Sequence, residues 1–161
     1  MRRLFLAIAA AAILLPDSAF AAEEEIYGTY ALISTSQRVL ETGEIVTQAR
    51  EHGFITYGRD GRMMVLIIRG DRPKPESFEK ATDQHRIDLF RSMIAYAGTF
   101  KFDGQTIEHQ IDISWNEMWT GTTQFRDVKR DGERLSISTR PVLSSRDGRM
   151  SVTTLVWEKV K

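Results

Sequence analysis

The sequence predicts an all-β protein: an eight-stranded antiparallel up-and-down barrel with one inserted amphipathic helix. Three observations predict it. Turn dipeptides punctuate the chain at Thr42-Gly43, Asp60-Gly61, Asp103-Gly104, Asp131-Gly132 and Asp147-Gly148, and Asp-Gly tolerates the positive φ angles of tight hairpins. The intervals between them alternate apolar and polar residues, the period of a strand with one buried face. A single stretch changes to helical spacing. Strands joined in order by hairpins form a meander, and a long meander removes its unpaired edges by closing on itself.

In order, the predicted strands are Ile26 to Leu40, Ile45 to Tyr57 with Gly53 as a bulge, Arg62 to Arg69, Ile94 to Phe102, Thr106 to Trp115, Gly121 to Lys129, Arg134 to Arg140 and Met150 to Val160. A break at Asn116 to Gly121 separates the fifth from the sixth. After Pro73 and Pro75, the residues Phe78, Ala81, Thr82, His85, Leu89 and Met93 fall at helical spacing, with Glu79, Lys80, Asp83, Arg86 and Arg91 on the other sides. This helix lies between the third and fourth strands, where it either caps the barrel or packs outside it. "RDGRM" occurs at Arg59 to Met63 and at Arg146 to Met150, but the uneven spacing of turns marks reused hairpin chemistry and not an internal repeat.

The first residues carry a different signal. Arg2 and Arg3 precede an apolar run from Leu4 to Leu15 and then Ala19-Phe20-Ala21, the small-x-small pattern of a signal-peptidase site. The run is shorter than the roughly 20 residues a membrane span needs. Residues 1–21 therefore read as a signal peptide, residues 22–161 as a single barrel domain, and the location as the periplasm or the outside of the cell. The 22 basic and 22 acidic side chains balance, and removal of Arg2, Arg3 and Asp17 leaves a net charge of about −1. Nothing electrostatic points to nucleic acid. Cysteine is absent, so neither a disulfide nor a thiolate metal site is available. The three histidines, His52, His85 and His109, are not at ligand spacing. No metal and no cofactor are expected.

The stretch "TIEHQIDISW", Thr106 to Trp115, alternates Ile107, Ile111, Ile113 and Trp115 with polar residues but puts His109 into the apolar series. In a closed barrel that phase points inward. The next strand offers Gln124 and Arg126 on one face and Phe125 and Asp127 on the other, and its own pattern leaves the phase open.

"GTYALIS" at Gly28 to Ser34, "GFITYGRDGRMMV" at Gly53 to Val65, "AYAGTFKFDG" at Ala95 to Gly104, "IEHQIDISWNEMWTGTTQFR" at Ile107 to Arg126 and "LVWEKV" at Leu155 to Val160 together resemble the bacterial and fungal lipocalin-like domain family. The resemblance implies a calycin-type, lipocalin-like barrel, with Gly28-Thr29-Tyr30 similar to the G-x-W signature that opens lipocalins. It also implies that His109, Gln124 and Arg126 belong together, with Tyr57, Tyr96 and Trp157 nearby, which would make Arg126 an inward residue.

These residues admit several readings. In the first, the lumen binds a small, mainly hydrophobic molecule with an acidic or carbonyl end. Ile107, Ile111 and Ile113, with Met64 and Leu66, would form the apolar body of that site, and His109, Gln124 and Arg126 its polar end, with Tyr57, Tyr96 and Trp157 as further contacts. In the second, a cofactor-independent isomerase or cyclase uses the same residues, His109 as general base and Arg126 as oxyanion stabiliser. In the third, His109 and Arg126 are a structural polar cluster, Arg126 stacking on Trp157 or Tyr30 in a filled barrel that acts through its surface.

Overall fold

The computed structural model describes residues 26–48, 50–144 and 147–161; the expected signal peptide, residues 1–21, lies outside them. Hairpins form where Asp-Gly predicts them. Gly61 and Gly132 take φ values of 76° and 58°, a region that costs a side chain about 1–2 kcal/mol. Between the turns run β1 (Gly28–Val39), β2 (Ile45–Gln48), β3 (Glu51–Tyr57), β4 (Arg62–Arg69), β5 (Met93–Phe102), β6 (Thr106–Ser114), β7 (Thr123–Asp131), β8 (Arg134–Thr139), β9 (Val142–Leu143) and β10 (Met150–Lys159), with helix α1 (Asp83–Arg91) between β4 and β5.

Each wall strand pairs antiparallel with the next, and β1 pairs with β10 from Tyr30↔Lys159 to Val39↔Ser151, so the sheet closes as an eight-stranded up-and-down barrel. The second wall strand is the predicted segment Ile45 to Tyr57 in two pieces. β3 pairs with the first half of β1 and β2 with the second half. The break falls at Arg50, whose φ is 58°, and not at Gly53, which pairs with Ile67 in unbroken register. Gly53 serves a close approach instead: a Cβ there would stand 2.5 Å from the Leu66 carbonyl oxygen.

Two bulges reset the inward phase. In β1, Leu32 pairs with Trp157 but Ser34 with Val156, which leaves Ile33 as the additional residue. Tyr30 on one side of it and Thr35 and Gln37 on the other are all buried, while Ile33 is exposed. In β6, Ile111 pairs with Gly98 and Ile113 with Ala97, so Asp112 is additional and the strand turns over beyond Ile111. Gly98 permits this crowding, since a Cβ there would lie 1.8 Å from the Gln110 carbonyl oxygen.

One end of the barrel is shut by Ile26, Tyr30, Phe100, Phe102, Ile107, Leu135 and Trp157, all buried. The Tyr30 hydroxyl donates to the Ile26 carbonyl at 3.0 Å, so tyrosine occupies the closing position where the lipocalin signature has tryptophan. Cations cover this end: the Arg59 guanidinium lies 5.0 Å from the Tyr27 ring centre and the Lys159 ammonium 5.7 Å from that of Tyr30.

Helix α1 starts at Thr82, whose side chain accepts from the His85 amide while the His85 ring accepts from the Thr82 amide, a reciprocal capping box. It is shorter than the predicted segment. Phe78 precedes it and is exposed, Met93 already belongs to β5, and none of its residues is buried. It lies outside the lumen. No helix among the described residues is long and apolar enough to cross a membrane.

Candidate functional site

A cavity of about 650 Å³ opens at the end opposite the aromatic plug. Ile55, Val65, Ile67, Ile94, Ile137 and Leu155 supply its apolar walls and Trp157 lines it as well. Asn116, Met118 and Trp119 from the β6–β7 connection, with Val142 and Leu143 of β9, also line it. No residue of α1 does.

His109 is 1% exposed and held between two phenols. Its Nε2 lies 3.0 Å from the Tyr57 hydroxyl and its Nδ1 3.3 Å from that of Tyr96. Tyr57 packs edge-on to Phe100 with ring centres 4.8 Å apart, and Tyr96 to Trp119 at 5.8 Å. Strand pairing brings Gln124 opposite His109 and Arg126 opposite Ile107, so Gln124, Arg126 and Val128 form the inward face of β7. Arg126 Nη1 donates to the Phe125 carbonyl at 2.9 Å and Nη2 to Gln124 Oε1. Among the described residues no carboxylate pairs with it.

The electrostatics follow from burial beside a cation. Desolvation, reinforced by Arg126, pushes the His109 pKa down from 6.5 to about 3, so the ring is neutral at physiological pH. Burial raises the Tyr57 pKa well above 10 and the Tyr96 pKa less far, the Arg126 charge opposing the shift in both. Both phenols keep their protons. A ring with both nitrogens bonded to phenols and so low a proton affinity is poorly suited to the general-base role that the sequence alone offers for it.

Of the residues singled out from sequence, His109, Gln124, Arg126, Tyr96 and Trp157 line the cavity, and Tyr57 reaches it through His109. Ile107 and Ile111 are buried but do not line it. Ile113 is corrected to the outer surface at 65% exposure, because the β6 bulge turns it over. Met64 and Leu66 are also outside, and Met63, Val65 and Ile67 face inward in their place. The run "MMVLII" is apolar on both faces, so its phase carries no sequence signal. Sequence reasoning also missed Glu51, whose side chain is 4% exposed, lines the cavity and stands 3.9 Å from Arg69. Arg126 does not stack at the closed end, where Arg59 and Lys159 cover the aromatic rings.

A model of the lipocalin-like domain covers residues 27–160, and no curated protein matches the chain.

Proposed function

Because the chain belongs to the lipocalin-like domain family, we propose that it is an exported carrier of a small, mainly hydrophobic molecule, held in the barrel with an oxygen-bearing end at Arg126. The observation that carries this reading is a guanidinium without a carboxylate partner in the wall of a largely apolar cavity. A cation so placed is costly unless an acceptor joins it. At the roughly 30 Å³ that one water occupies in the liquid, 650 Å³ accommodates a ligand of at most about 20 non-hydrogen atoms. Export rests on the leader-like residues 1–21.

The test is native mass spectrometry of the protein purified from its own host, followed by extraction of whatever denaturation releases. A defined small molecule is expected, and it should be lost from Arg126→Gln and from Leu155→Trp, which fills the lumen. A protein that emerges empty and also takes up no neutral apolar dye such as Nile red refutes the reading. Amino-terminal sequencing of the exported material, expected to begin at Ala22, checks the leader.

A further inference from the structure

The protons around His109 can be placed by counting donors and acceptors. The Tyr57 hydroxyl is buried and its partner among the described residues is Nε2 of His109. Were Tyr57 the acceptor, its own proton would be stranded in the core, which is unfavourable. Tyr57 therefore donates and Nε2 accepts. In a neutral imidazole the single proton then sits on Nδ1, which donates to the Tyr96 oxygen. With a proton on Nδ1, the ring offers the Tyr96 hydroxyl no acceptor, so the hydroxyl proton is left for the cavity that Tyr96 lines.

The same count applies to the neighbours. Gln124 Oε1 accepts from Arg126, which leaves its amide N–H groups available. Arg126 has five N–H donors and bonds the Phe125 carbonyl and Gln124, so donors remain along with its charge. The cavity side of the set thus carries a positive charge and more open donors than acceptors, the acceptors left being lone pairs on Gln124 Oε1 and on the Tyr96 oxygen.

We infer that this cationic, donor-rich pole selects ligands whose polar end is an unprotonated acceptor, a carboxylate or an enolate, over alcohols and amines carrying the same apolar tail. The inference rests on the lumenal binding proposed above and names the ligand class for that site. His109 is a positioning residue in it: its Nδ1 proton fixes the direction of the Tyr96 hydroxyl. An amine placed there would meet the Arg126 cation and the donors of Tyr96 and Gln124. An alcohol would bring no charge to meet the guanidinium, and a hydrogen bond between charged groups exceeds one to a neutral group.

The experiment displaces Nile red from the purified protein with dodecanoate, dodecan-1-ol and dodecylamine, three ligands that share one tail. Dodecanoate is expected to bind at least about tenfold more tightly than the alcohol, with the amine weakest, since a hydrogen bond to a charged group exceeds one to a neutral group. Tyr96→Phe is expected to cost dodecanoate about tenfold and dodecan-1-ol much less. Gln124→Glu places a carboxylate beside Arg126 and is expected to invert the order, with the amine gaining on dodecanoate. Equal affinities for the three ligands overturn the inference and leave lumenal binding standing. Equal losses for acid and alcohol in Tyr96→Phe overturn the assigned role of its hydroxyl. If none of the three displaces the dye, the inference and the binding reading fall together.

Discussion

In the native barrel His109 takes up a proton only near pH 3, whereas its ordinary pKa, and so that of the unfolded chain, is 6.5. Between those values the unfolded state binds one more proton than the native state, so stability falls as pH falls. The contribution is fully present above about pH 6.5, declines below it and levels off near pH 3. At 1.36 kcal/mol per pKa unit, acidification from about pH 7 to about pH 4.5 is expected to remove roughly 2.5 kcal/mol through this side chain alone. Most carboxylates remain ionised down to about pH 4.5, and those that begin to titrate do so in both proteins compared below. Urea unfolding of the wild-type protein and of His109→Gln, measured in parallel across this range, isolates the effect, because glutamine can still hydrogen-bond to the phenols but cannot titrate. The wild-type protein is expected to lose stability with acidification and the variant to stay nearly level. Parallel pH profiles for the two proteins would show that His109 is not held neutral by burial, and the placement of protons around it would lose its basis.

Other perturbations follow from the same geometry. Tyr57→Phe removes the donor to a buried ring nitrogen and is expected to cost about 1–3 kcal/mol in urea unfolding; a neutral result would place that bond's partners elsewhere. Gly98→Ala drives a methyl group into the Gln110 carbonyl and is expected to destabilise by 3 kcal/mol or more, on the order of a severe overpacking defect, read as a lowered melting temperature or loss of soluble protein. Ile113→Ser acts on the outer surface and is expected to change Nile red affinity less than about twofold, within the ordinary range of surface substitutions, whereas Ile137→Ala, in the cavity wall, is expected to change it clearly.

The architecture was legible because its signals are local. Asp-Gly at Asp60-Gly61 and Asp131-Gly132 states the turn, and the segments between state the pairing partner by adjacency. His109 was legible for a related reason, being one polar residue in an otherwise apolar phase. Arg126 was not legible from β7 itself, where polar residues occupy both faces; the family resemblance supplied its direction. Ile113 misled because a bulge is set by its partner strand. The crowding that expels Ile113 comes from the close approach of Gly98 to Gln110, a contact between segments twelve residues apart that alternation within β6 does not encode. Helix α1 was overextended because its apolar periodicity suggests a buried face, yet Phe78 and Phe90 remain exposed. The cavity was beyond reach of the sequence for a global reason: its volume depends on which inward side chains of eight strands meet at one level, and two bulges decide that jointly.

The seam between β1 and β10 joins the first strand of the barrel to the last. Every other wall junction links neighbours in sequence, so hairpins can form early and independently. The seam alone must bring together residues as distant as Tyr30 and Lys159, and loop-closure entropy makes that the slowest pairing to achieve. Until β10 is in place, β1 and β8 present open edges, and edges of that kind invite pairing with other chains. Completion of the C-terminus is thus the step at which an adhesive open sheet becomes a self-contained barrel, and a chain that loses its last ten residues is expected to aggregate.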